Sequence, residues 1–134
     1  IPIFKPIANA CMDRETIKTM RYDTKMNSSM PKKIQIGPFV YSVKCDDAAK
    51  TVLNSDHGET DGARLEIRIN PDSADLVQRE VLLHESLHAI AAVAGLDHEL
   101  GEELEEKIVR RIAPVLFDAL LRNPKLVDYL LGTA

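Results

Sequence analysis

Five consecutive residues, His84-Glu85-Ser86-Leu87-His88, carry two imidazoles and a carboxylate in an order that suits a metal ion. On an α-helix, residues four apart lie one above the other, so His84 and His88 can aim two imidazole nitrogens at one point. Glu85 lies about 100° round the helix, beside that point rather than on it. This arrangement suits a zinc ion held by two histidines, with a carboxylate reaching the water that the ion activates. An H-E-x-x-H string arises by chance in on the order of one chain in a few hundred of this length, so its surroundings decide its weight. Leu76, Val77, Val81, Leu82, Leu83, Leu87, Ile90, Ala91 and Ala94 give it the flanks of a buried helix. Buried without partners, each polar side chain costs roughly 1–3 kcal/mol, and a metal would satisfy all three together. The bland alternative is a pair of core histidines with ordinary hydrogen bonds and Glu85 in a salt bridge.

Catalytic zinc usually has a third protein ligand. An H-x-x-G-x-x-H extension would place glycine and histidine where Ala91 and Ala94 stand, so that arrangement is excluded. His98 is near in sequence but must fold back. An acid on the next helix is easier to bring in, because a short connection makes consecutive helices neighbours. Glu102, Glu103, Glu105 and Glu106 begin that helix. Helical phase ranks Glu103 last and leaves Glu102, Glu105 and Glu106 open.

The elements that must position these residues follow from pattern. Lys33–Gly37 and Phe39–Cys45 are β-rich runs separated by Gly37-Pro38, which predicts a hairpin or two short strands. Residues 54–62 read as a polar, glycine-bearing loop. Arg64–Asn70 alternates charged and aliphatic residues, which predicts a strand with Arg64, Glu66 and Arg68 on its wet face. The motif helix should start after Pro71 with Asp72 or Ser73 as cap, and run to about Ala94. Gly95 in the left-handed conformation should end it. After a short loop over Asp97–Gly101, a second long helix is expected from about Glu102 to Arg122. Leu104, Ile108, Ile112, Val115, Leu116 and Ala119 form its apolar face, and Pro114 is a candidate kink. Asn123-Pro124 ends it before a last short helix. The expected class is α+β: a small antiparallel sheet of about three strands packed on the motif helix and the second long helix.

The chain has 134 residues, 45% hydrophobic and 28% charged, with a formal net charge of −4. That is the composition of one globular domain and not of a general nucleic-acid binder. No apolar run approaches the roughly 18 residues a spanning helix needs, and no secretory leader is visible. Cys11 and Cys45 fit no metal spacing and are expected to be reduced thiols in the cytosol. Met30-Pro31-Lys32-Lys33 has the look of a natural protein start. The compact domain is therefore expected over residues 30–134, with residues 1–29 as an N-terminal arm or extension.

The residues also carry a family resemblance. The His84–His88 motif, together with Glu106-Lys107-Ile108-Val109-Arg110-Arg111-Ile112-Ala113, resembles the ImmA/IrrE-type minimal gluzincin peptidases, especially the short versions in phage and mobile-element genomes. The resemblance runs from about Lys32 to the C-terminus. It implies a zincin-like fold, a cytoplasmic location in a bacterial or phage-infected cell, and a zinc-dependent endopeptidase. His84, His88 and Glu106 would be the zinc ligands, and Glu85 the general base toward a zinc-activated water. Two departures stand out: Arg110 occupies the place of an asparagine in larger members, and no DNA-binding helix-turn-helix is visible. For the oxyanion or a supporting contact, His57, Tyr41 and His98 are candidates. Asp97 and the acids of the second helix could hold the other imidazole nitrogens. An extended peptide or protein substrate could lie along an open edge of the Leu65–Ile69 strand. Neither a nucleic acid nor a membrane is expected as a partner. The alternative of another class is a zincin-fold module that grips a partner protein without cleaving it.

Overall fold

The computed structural model describes residues 29–133. The expected N-terminal arm and Cys11 therefore lie almost wholly outside the described residues. Strands β1 (Lys33–Ile36) and β2 (Phe39–Lys44) are followed by helix α1 (Asp47–Leu53) and strands β3 (Gly58–Asp61) and β4 (Glu66–Ile69). Four helices complete the chain: α2 (Asp75–Val93), α3 (Leu96–Leu100), α4 (Glu102–Arg122) and α5 (Pro124–Leu131). The class is α+β.

The sheet differs from the expected one. It has four strands in the order β1-β2-β4-β3, and it is mixed. β1 and β2 form the expected antiparallel hairpin, turning at Gly37 with φ +59°. β4 runs parallel to β2, pairing Val43 with Ile67, and antiparallel to β3, pairing Thr60 with Ile67. The additional strand lies in the segment that reads as a loop. Its sequence, Gly58-Glu59-Thr60-Asp61, is poor in strand formers, and its place comes from its partner instead. Glu59 stands opposite Arg68, and the Arg68 guanidinium reaches Glu59 (2.8 Å), Asp61 (3.1 Å) and Glu66 (2.9 Å).

Arg68 is thus not on a wet face; only 5% of it is exposed. Burial opposes its charge, but the hydrogen bonds to Asp61 and Glu59 outweigh that and hold it protonated. The Leu65–Ile69 strand likewise offers no open edge, because β2 and β3 occupy both of its sides. Among the described residues the free edges belong to β1 and β3.

The other face of β4 builds the core. Ile67 and Ile69 are fully buried with Tyr41, Val43 and Ala89, so the sheet packs on α2. Neither Asp72 nor Ser73 caps α2; Ala74 stands at the cap without a side-chain bond. The reason is competition. Ser73 Oγ is bonded to His57 Nδ1 (2.8 Å), and Gln78 Nε2 satisfies the carbonyls of Pro71 and Ser73 (3.1 and 2.8 Å). Gly95 ends the helix with φ +78°, as its position predicts, but residues 96–100 wind into α3 rather than a plain loop.

α4 spans the expected residues, yet it is rotated. Its buried residues are Val109 and Ala113, whereas Leu104 and Ile112 are 46% and 49% exposed. The face turned to α2 lies about 100° round the helix from the centre of the apolar stripe. That stripe lines a shallow outer groove with Ile112, Val115, Leu116 and Ala119. Small Val109 and Ala113 allow close helix approach and bring the first turn of α4 against His84 and His88. No helix among the described residues is long and apolar enough to cross a membrane.

Candidate metal centre

His84 and His88 lie on consecutive turns of α2, with ring centroids 5.0 Å apart. Across from them is Glu106 in the second turn of α4. His88 Nε2 is 2.7 Å from Glu106 Oε2, and His84 Nε2 is 3.4 Å from Glu106 Oε1. The three side chains offer ligand atoms that all lie within 4.8 Å of one another. A tetrahedral zinc site with bonds of about 2.0–2.1 Å keeps its ligand atoms roughly 3.4 Å apart. Two imidazoles and one carboxylate could hold a transition-metal ion such as zinc, and they suit calcium or magnesium less well, since those prefer oxygen alone. The residues present therefore fit such an ion.

Glu85 is 7% exposed and points beside this cluster. Its Oε2 is 3.9 Å from His84 Nε2, and its Oε1 is 2.8 Å from the hydroxyl of Thr60 on β3. Burial raises the Glu85 pKa above the usual carboxylate range, while the Thr60 hydrogen bond and the charge of His88 oppose the rise. The backbone closes in as well. A Cβ on Gly58 would stand 2.4 Å from Val81 Cγ1 and 3.2 Å from Glu85 Cγ. Glycine at this position lets β3 pass against α2 where Glu85 projects.

The two histidines differ in charge preference. Burial lowers the His84 pKa and so favours its neutral form. Burial also opposes charge on His88, but its hydrogen bond to Glu105 and the negative charges of Glu85 and Glu106 prevail and raise its pKa. Glu105 Oε2 lies 2.6 Å from His88 Nδ1, on the opposite side of the ring from Glu106. The neighbouring glutamates thus flank one imidazole.

The remaining candidates lie elsewhere. Glu102 is exposed at the start of α4 and is not in the cluster. His57 is exposed and bonded to Ser73. Tyr41 is 2% exposed inside the core, where burial and the nearby charge of Asp97 raise its pKa and keep it a phenol. His98 is exposed on α3, its backbone amide bonded to the side chain of Asp97. None of these three joins the metal-ligand group. Thr60 and Gly58 are the residues that sequence reasoning missed. A G-x-T alternation two residues apart, which a strand would aim at one face, is the only local signal they carry.

The chain matches no family model, no curated protein and no solved structure.

Proposed function

We propose that this protein is a minimal zincin-type zinc peptidase, of the ImmA/IrrE-like kind that its motifs resemble. One observation carries the proposal: His84, His88 and Glu106 each offer a ligand atom within 4.8 Å of the others, both Nε2 atoms lie against the Glu106 carboxylate, and Glu85 is buried beside them. His84, His88 and Glu106 would hold the ion. A bound zinc supplies Lewis acidity, which acidifies water and polarises a carbonyl.

The chain's own residues supply the rest. Glu85, kept from solvent and held through Oε1 by Thr60, leaves Oε2 on the side of the histidines. From there it can take a proton from water and deliver it to the leaving amine. The edge of β3, unpaired among the described residues, supports binding of an extended peptide. Its backbone would add a strand while the Thr60 side of β3 faces α2.

The test compares wild type with Glu85→Gln for zinc content and for cleavage of an unstructured protein such as casein. Wild type should cleave, lose the activity to a chelator and regain it with zinc. Glu85→Gln should hold zinc and cleave nothing. A wild-type protein that holds zinc yet cleaves no peptide in a broad library would favour the partner-gripping module instead.

A further inference from the structure

We infer that Glu105 is a positioning residue: its carboxylate accepts a hydrogen bond from Nδ1 of His88 and thereby aims Nε2 of that ring at the metal site. The inference rests on the metal site proposed above and divides the labour between two adjacent glutamates. Consecutive residues on a helix point about 100° apart, so Glu105 and Glu106 reach the cluster from different sides. They meet His88 at opposite ring nitrogens, Glu105 at Nδ1 (2.6 Å) and Glu106 at Nε2 (2.7 Å). His84 also turns Nε2 toward Glu106. Both histidines thus share Nε2 as the atom facing the site, and Nδ1 of His88 is left for another partner.

A neutral imidazole has one N–H and one lone pair. A carboxylate that accepts from Nδ1 puts the proton there and leaves the Nε2 lone pair for a cation; it also fixes the ring about its last torsion. Burial agrees with this division. The Glu105 side chain is 13% exposed, set inside against the ring, while that of Glu106 is 38% exposed at the mouth of the site.

The experiment titrates zinc against a chromophoric chelator for wild type, Glu105→Ala, Glu105→Gln and Glu106→Ala, and records the visible spectrum of each protein saturated with cobalt. Glu105→Ala should weaken zinc binding about 10- to 100-fold yet keep the wild-type cobalt spectrum, because the ligands are unchanged. Glu105→Gln retains an acceptor oxygen at the same reach and should lose less. Glu106→Ala should change the spectrum itself. Zinc affinity of Glu105→Ala within twofold of wild type would overturn the inference, as would a cobalt spectrum altered in the manner of Glu106→Ala; both leave the metal site standing. Failure of wild type to take up either ion would overturn the metal site and this inference together. Should Glu105→Ala not fold, the His88 Nδ1 proton resonance of zinc-loaded Glu105→Gln decides: it should move upfield from wild type, and an unmoved resonance refutes the role.

Discussion

The hydroxyl of Thr60, on strand β3, sits 2.8 Å from Oε1 of Glu85 and 2.9 Å from the Glu85 backbone carbonyl on helix α2. One side chain thereby ties the sheet to the motif helix at the residue proposed as general base. Thr60→Val keeps the shape and removes the donor. It should lower kcat for peptide cleavage about tenfold, just under the range for a full hydrogen bond to a charged group because the one hydroxyl proton is shared with the Glu85 carbonyl, and leave zinc affinity unchanged. Thr60→Ser should stay close to wild type. Steady-state kinetics beside a zinc titration checks this; a Thr60→Val enzyme with wild-type kcat would show that Glu85 needs no such tether.

Gly58 is required by contact rather than by backbone conformation. Gly58→Ala drives a methyl group into Val81 and toward Glu85, and should destabilise the fold by about 1–3 kcal/mol. The severe overlap is with the Val81 side chain, while the Arg68 carbonyl oxygen and Glu85 Cγ at 3.2 Å stay tight, so Val81→Ala in the same molecule should recover part of the loss but not all of it. Denaturant unfolding of the four proteins of that cycle measures the coupling, which should exceed about 0.5 kcal/mol. Additive losses would mean that the strand moves away instead.

Zinc should stabilise the folded chain by mass action. At a free concentration one hundred times the dissociation constant the gain is about 2.7 kcal/mol, which raises the melting temperature by several degrees or more in a domain of this size. Thermal scans with zinc and with a chelator should separate for wild type and coincide for His84→Ala. Equal zinc-dependent shifts in both proteins would place the ion elsewhere.

Arg68 sits among Glu59, Asp61 and Glu66 with little contact to water. Arg68→Met removes the positive charge from three crowded carboxylates. Because Glu59 is half exposed, the cost should fall at or below the low end for buried ion pairs, about 2–3 kcal/mol. The backbone amide of Arg64 and the guanidinium of Arg68 hold the Asp61 pKa below the usual carboxylate range. A carboxylate with a depressed folded pKa contributes stability above its unfolded pKa, and that contribution is lost as pH falls through the folded value. Wild-type stability should therefore decline on acidification below about pH 4, and Arg68→Met should decline less steeply over that window. Parallel pH profiles for the two proteins would show that the guanidinium does not set the Asp61 pKa.

Features that depend on short-range periodicity are legible in the residues alone. His84 and His88 share a helix face because four residues make slightly more than one turn. The α4 boundaries are legible from the acids at its start and Asn123-Pro124 after its end, and the left-handed stop from Gly95. Features that depend on contacts between distant segments emerge only in the folded chain. β3 is a strand because Arg68 and the exposed ladder of β4 recruit a segment with little strand propensity of its own. α4 turns Val109 and Ala113 inward, rather than its larger apolar stripe, because small side chains allow the approach that carries Glu105 and Glu106 to His88. Helical phase left three glutamates nearly equivalent; they separate only when α2 lies against them, where Glu105 meets Nδ1 of His88, Glu106 meets Nε2, and Glu102 stays exposed outside the cluster. Thr60 and Gly58 belong to the site for the same reason: they lie 25 or more residues before the groups they serve, and only the packing of sheet on helix brings them there.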